Sequence, residues 1–303
     1  MRLGTSLDTD KPIDDVVASA RAAKDAGFTS VWSSQIFGVD ALTVLAVVAR
    51  EVEGIEVATG VVPIHPRHPM VLAAQARTVQ AISNGRLTLG IGLSHQVMVE
   101  GVWGISFDKP GTYMREYLDA LVPMLRGEPV NVQGTAVRAN VFQAVGPTTS
   151  SPPSLVVAAL GPEMLRLAGT VTDGTVTWMT GIGTLRDYVV PTIRDAAEAA
   201  GRPAPRVIAS VAVCLTDDVS GAAERIDKEL AIYPTLPSYK AMLDREGATS
   251  ASQVSIVGSR DKIEAALGAF ADAGVTEALA SPIGSKVEVL ATRALLGELA
   301  TKS

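Results

Sequence analysis

The chain has 303 residues, 47% of them hydrophobic and 19% charged, with a formal net charge of −6. That composition supports a large buried core and leaves little for disordered tails, and an acidic surface excludes nucleic acid and anionic membranes as attractive partners. One cysteine, Cys214, excludes an intrachain disulfide and a thiolate metal cluster.

Arg2 to Leu7 reads as a short apolar strand, and Lys11-Pro12 leads into a helix with Ile13, Val16, Val17 and Ala20 at helical spacing. Phe28 to Ser33 is a second strand, followed by a helix with Leu42, Leu45, Ala46 and Ala49 on one face. Ile55 to Val62 is the third strand, and after the loop Arg67-His-Pro69 the third helix covers Met70 to Ile82. The fourth strand starts at Arg86, carries Leu87, Leu89 and Ile91, and ends in glycines before presenting His95. Gly90 and Gly92 there leave room for another backbone or a flat ligand.

Further strands are predicted at Leu155–Leu160, Thr175–Trp178, Val207–Leu215 and Glu277–Ser281, with helices beginning near Pro162, Thr184, Val219 and Ser285. Eight strand-helix units fit an α/β fold of the (β/α)8 TIM-barrel type, one domain spanning residues 1–303. Two excursions interrupt the rhythm, as insertion segments after strands four and seven. The first holds a helix around Tyr113–Leu125 and a hairpin in which Val130 and Val132 face Val137 and Val141 across Gln133-Gly134. The second runs from Tyr233 to Val257, with a helix over 237–244 and a loop over 248–253. The longest apolar stretch, Ala41 to Ala49, is too short to span a bilayer, and the N-terminus meets Asp8 too early for a leader, so a cytoplasmic protein is expected.

Barrel enzymes place their chemistry at the carboxyl ends of the strands. All three histidines, His65, His68 and His95, follow strands three and four, so the imidazoles could gather near one ligand. A metal is not expected there, because Arg67 stands between two of them and no nearby carboxylate orients the rings. Gly161-Pro162 opens a helix with free N–H groups suited to a phosphate, although Glu163 in the same turn would repel one unless it points away. Trp178-Met-Thr-Gly181 can wall a planar ring, Trp32-Ser-Ser-Gln35 brings uncharged groups to the end of strand two, and Gln96 to Ile105 reads as a short cap over the mouth.

Four motifs carry a resemblance: Thr59-Gly-Val-Val-Pro with Arg67-His-Pro69, Gly85-Arg-Leu with Gly90-Ile-Gly-Leu-Ser-His95, Ala158-Ala-Leu-Gly161 with Ala168-Gly and Asp173-Gly174, and Ala273-Gly-Val-Thr276. The chain resembles the luciferase-like (bacterial luciferase) superfamily, and within it the actinobacterial oxidoreductases that use coenzyme F420. The resemblance implies a barrel that is usually a homodimer and holds its flavin-like ring in the carboxyl-end mouth. It also implies a non-prolyl cis peptide in the strand-three bulge, which by position is Gly60-Val61. Ring or phosphate contacts are expected from Ser34, Gly60, Val61, Gly92, Ser94, Ala159, Gly161, Pro162, Glu163, Met164 and Trp178.

Alcohol and sugar-phosphate dehydrogenases of this type carry an Asp-His pair where this chain has Ser34 and Gln35, so the base for alcohol oxidation is missing. The resemblance then implies hydride transfer from reduced F420 to an electron-poor double bond of a small substrate. His95 is expected to protonate the product, and Gln35 to hydrogen-bond ring or substrate. The alternatives are an FMN-dependent monooxygenase on the same barrel and a non-catalytic flavin-binding relative.

Overall fold

In the computed structural model, which describes residues 1–35 and 37–302, the strands in chain order are β1 (Arg2–Ser6), β2 (Ser30–Ser33), β3 (Glu56–Thr59), β4 (Val62–Pro63), β5 (Leu87–Gly92), β6 (Val130–Gln133), β7 (Arg138–Val141), β8 (Ser154–Ala158), β9 (Gly174–Thr177), β10 (Arg206–Leu215), β11 (Ile256–Gly258) and β12 (Glu277–Pro282). Eight of them close a parallel ring in the order β1, β2, β3, β5, β8, β9, β10, β12, with β12 pairing back to β1. The helices that matter to the site are α1 (Ile13–Asp25), α2 (Ala41–Glu51), α3 (Pro69–Ile82), α4 (Gln96–Gly101), α5 (Pro110–Arg126), α6 (Pro162–Val171), α7 (Ile182–Thr184), α8 (Val190–Ala199), α9 (Val219–Glu229), α10 (Pro237–Glu246), α11 (Arg260–Asp272) and α12 (Lys286–Ala300). The expected (β/α)8 barrel is present.

Alternate residues of a strand face opposite sides, and this sorts the barrel interior into three layers. The lowest contains Arg2, Ser30, Glu56, Thr88, Ser154, Arg206 and Glu277, at or next to the first residue of their strands. They form one network. Arg206 donates to Glu56 and Glu277 at 2.9 Å each, Arg2 donates to Glu56 at 2.6 Å, and Ser30 and Thr88 donate to Glu277 and Glu56 at 2.5 Å. Burial pushes the Glu56 carboxyl up, but Arg206, Thr88 and Arg2 together hold it below the ordinary carboxylate range.

Above the network lie Trp32, Ala58, Val156, Val176, Ile208 and Leu279, which plug the barrel. The third layer consists of Ser6, Ser34, Gly60, Gly92, Ala158 and Trp178, all but the last small. The odd-facing residues, such as Val31, Val57, Leu89, Ile91 and Val157, bury against Leu45, Leu72, Leu118 and Ile193 of the helices. Each such side chain stabilises the fold by about 1.5–3 kcal/mol.

The first insertion follows β5 and holds α4, α5 and the β6–β7 hairpin, whose register pairs Val130 with Val141 and Val132 with Ala139. Val137 lies in the turn, where its carbonyl accepts from Gly134. Arg77 and Gln80 of α3 tie the segment down, donating to the carbonyls of Leu125, Pro147, Ser151 and Pro152. The second insertion follows β10 and contains α9 and α10. It ends in β11, which the sequence reading leaves inside the excursion. Val213 pairs with Pro282 of β12 and also with Ile256, so β11 takes the other edge of β10, above the point where β9 ends. Among the described residues, no helix is long and apolar enough to cross a membrane.

Candidate active site

The small upper layer leaves a bowl at the carboxyl end of the barrel. Its floor is built by the interruption between β3 and β4. The Gly60-Val61 peptide is cis, as the resemblance implied. Its backbone is clamped by the end of β2, where Gly60 N–H donates to the Ser33 carbonyl at 2.9 Å, Gln35 N–H donates to the Val61 carbonyl at 3.3 Å, and the Ser34 hydroxyl donates to the Gly60 carbonyl at 2.6 Å. On the other side lies β5. A Cβ on Gly90 would stand 2.0 Å from the Thr59 carbonyl oxygen, and one on Gly92 would stand 2.9 Å from Val61 Cγ2. The glycines of β5 therefore admit the bulge of β3, and the Thr59 hydroxyl donates to the Gly90 carbonyl at 2.8 Å.

At the end of β2, Gln35 turns toward Arg67, which donates to Gln35 Oε1 at 2.9 Å and to Asp40 at 2.7 Å. Arg67 is only 11% exposed in its side chain. Asp40 also accepts from Thr43 N–H and so caps α2; burial raises its pKa, but Thr43 and Arg67 prevail and lower it. Gln35 thus spends its carbonyl on a structural tie, so hydrogen bonding of ring or substrate falls to its amide N–H groups.

His95 stands after β5 and opens α4, the expected cap, and it is half-buried. The preceding Ser94 has φ +63°, a left-handed conformation that costs a non-glycine residue roughly 1 kcal/mol and aims the chain over the mouth. Burial lowers the His95 pKa, so the ring is neutral at pH 7. Its neighbour is Tyr239 of α10, with centroids 5.4 Å apart and planes at 55°. Tyr239 meets Tyr233 at 5.1 Å and 79°, and Tyr233 meets Trp178 at 5.9 Å and 71°. Each such pair is worth about 0.5–1.5 kcal/mol beyond area burial. The Trp178 indole nitrogen is buried and has no partner of hydrogen-bonding geometry.

The histidines do not gather. His65 stacks on Tyr113 at 4.5 Å and 4°, and burial lowers its pKa against a hydrogen bond to the Leu93 backbone. His68 caps α3, accepting from Met70 N–H through Nδ1, while its Nε2 meets the Arg138 carbonyl at 2.9 Å. Among the described residues no cluster of His, Cys, Asp and Glu could hold a metal.

At the head of α6, Gly161 is the N-cap, with Pro162 at the first helical position and no side chain bonded to the free N–H groups of Glu163 and Met164. A Cβ on Gly161 would meet nothing within 4 Å. The Glu163 side chain is exposed and lies 3.9 Å from Arg115 of α5, off the helix axis. Met164 packs its side chain on the core. Ala158 is the residue of β8 exposed at the bowl, whereas the side chain of Ala159 is buried in the outer core and its carbonyl accepts from Thr175. Any ligand contact of Ala159 is confined to its main chain.

The family model for luciferase-like monooxygenases matches residues 1–296. The chain belongs to the luciferase-like monooxygenase family. Among its relatives, a 5,10-methylenetetrahydromethanopterin reductase from Methanolobus tindarius is 26% identical over 320 residues, covering 95% of this chain and 96% of that protein. Two solved structures share the fold. The coenzyme F420 dependent tetrahydromethanopterin reductase of Methanopyrus kandleri superposes with TM-score 0.82 at 22% identity, covering 98% of this chain and 97% of that one. The oxygenating constituent of 3,6-diketocamphane monooxygenase from Pseudomonas putida, in complex with FMN, gives 0.77 at 19% identity, covering 100% and 98%.

Within this luciferase-like barrel, Tyr233 and Tyr239 are the mouth residues the sequence reading passes over. One signal for them existed: the chain has five tyrosines in 303 residues, and these two fall close together in an insertion after a barrel strand. Arg67 and Asp40 were also not singled out, because their pairing spans a whole strand-helix unit.

Proposed function

We propose that the chain is an oxidoreductase that uses reduced coenzyme F420 to reduce an electron-poor double bond of a small organic substrate. The observation that carries this reading is the convergence, at one end of the barrel, of the Gly60-Val61 floor, the β5 glycines and the uncapped head of α6. A flat ring fits against main chain where side chains are missing, and a phosphate fits N–H groups from which Glu163 has turned away. The names of the Methanolobus and Methanopyrus reductases support the choice of cofactor and of reduction.

In this reading Gly60, Val61, Gly92 and Ser94 lie against the ring, Ser34 fixes the Gly60 carbonyl beneath it, and Trp178 closes the far side. Gly161, Pro162, Glu163 and Met164 hold the phosphate through main-chain groups. The bound reduced deazaflavin supplies a hydride from its carbon-5. His95 then gives the proton that completes reduction or steadies the charge that develops, and its depressed pKa makes the imidazolium a stronger but scarcer acid. Neither Ser34 nor Gln35 is a base able to take a proton from an alcohol, which favours reduction over alcohol oxidation.

The FMN-bound neighbour keeps a second reading open, an FMN-dependent monooxygenase. Titrating the purified chain with F420 and with FMN, each followed by its own fluorescence, separates the two. Binding of F420 at micromolar concentration or below supports the first; tight binding of FMN alone overturns it.

A further inference from the structure

His95, Tyr239, Tyr233 and Trp178 come from three separate stretches of chain and meet ring to ring along one side of the bowl. Because successive planes are steeply tilted, the row offers both faces and edges, the arrangement that packs a flat conjugated molecule. Burial keeps the phenols of Tyr233 and Tyr239 protonated and His95 neutral, so the row has no formal charge at pH 7. The charged residues of α10 are spent elsewhere. Lys240 pairs with Asp244 at 2.6 Å, and Arg245 lies 3.8 Å over the Tyr188 ring. An anion brought against the row would lose water and gain no cation. The unpartnered Trp178 N–H, by contrast, is a donor ready for a neutral carbonyl or hydroxyl.

The row is also anchored. Glu246 lies seven residues after Tyr239, two helical turns on and on the same face of α10. Its carboxylate accepts from Gly183 N–H at 3.0 Å and Thr184 N–H at 2.6 Å, in α7, which follows the turn carrying Trp178. One side chain therefore pins the helix of Tyr239 to the segment of Trp178.

We propose that this aromatic row selects neutral, flat, conjugated substrates and rejects anionic ones, with Glu246 as its positioning residue. The inference rests on the oxidoreductase reading and gives that reading its substrate class. Isothermal titration of the full chain with 2-naphthol and with 2-naphthalenesulfonate, with and without oxidised F420, tests it. The naphthol should bind at least about tenfold more tightly, and Tyr239→Ala and Tyr233→Ala should each lower its affinity by roughly tenfold. Glu246→Gln should weaken the naphthol severalfold without moving the melting temperature, and Glu246→Asp should recover part of the loss. Tyr239→Lys, a second check should the alanine variants not fold, should shift the preference toward the sulfonate by about tenfold or more. Equal binding of the two probes, or naphthol affinity indifferent to Tyr239 and Tyr233, overturns the proposal. Loss of F420 binding with the probe preference intact would instead overturn the cofactor reading.

Discussion

The two ends of the barrel are made by the same eight strands and follow opposite rules. At the amino end, Arg2, Glu56, Arg206, Glu277, Ser30 and Thr88 are enclosed and bonded to one another, with Glu277 only 1% exposed. At the carboxyl end the layer is small and half-open, Ser94 and Met179 hold left-handed backbone, and buried polar atoms of Trp178, His65 and Ser33 have no partner. Satisfied polar groups serve stability, whereas unsatisfied ones and strained backbone persist where a ligand completes them. The charge-bearing end of this protein is therefore its structural end, and the uncharged one its chemical end.

The most severe test of that contrast is Glu277→Ala. It leaves Arg206 facing one carboxylate instead of two and strands Ser30 and the Trp32 indole N–H, both bonded to Glu277. Breaking a buried pair this way costs about 3–5 kcal/mol, so urea unfolding should show a midpoint far below that of the parent or no folded baseline. A variant as stable as the parent would show that the network is dispensable. The same network makes the chain acid-sensitive. Glu56 has a folded pKa below its ordinary 4.5, so its stabilisation is complete above that value and is lost as pH falls below it.

At the other end His95→Ala should leave the urea midpoint nearly unchanged and lower turnover by roughly 10²–10⁴. If the imidazolium is the proton donor, parental turnover should rise as pH falls from about 8 toward 6, because the donor form is scarce above a pKa already below 6.5. The alanine variant should lose that slope. A parental rate flat over the same range would take His95 out of proton transfer.

The ring of strands was legible because strands buried on both faces read as short apolar runs between amphipathic helices. β11 was not, since three residues are too few to show a period. The amino-end network was illegible for another reason. Arg2, Glu56, Arg206 and Glu277 are single charges at strand starts, indistinguishable from surface residues until closure of the ring turns them inward. At the mouth, Gly60, Gly90, Gly92 and His95 were readable as a strand tip and a bulge. Tyr239 was not, because its contact with His95 depends on how an insertion folds back across the bowl. The histidines mislead in the opposite sense: nearness in sequence suggested a shared ligand, while stacking on Tyr113 and capping of α3 had already claimed two of them.

Between the two ends lies the seam where β3 bulges over β5, and Gly90→Ala probes it. The new methyl would meet the Thr59 carbonyl and must displace it, a clash of the kind that costs about 1–3 kcal/mol. Since Thr59 adjoins Gly60, cofactor affinity should fall together with stability, and F420 titration beside urea unfolding would register both. A loss confined to stability would separate the seam from the bowl.

The smallest effect is expected at Ser34, whose hydroxyl is exposed and makes the one hydrogen bond to the Gly60 carbonyl. Ser34→Ala removes a net contribution of about 0.5–1.5 kcal/mol at most, and water can replace the lost donor. The melting temperature should scarcely move. If the carbonyl of Gly60 must keep its orientation for a ring to lie on the floor, F420 affinity should nevertheless drop severalfold, an effect out of proportion to the change in stability. That disproportion is what distinguishes the mouth from the amino end, where every lost bond should appear in the unfolding curve; a variant with parental affinity would place Ser34 on the structural side of the contrast.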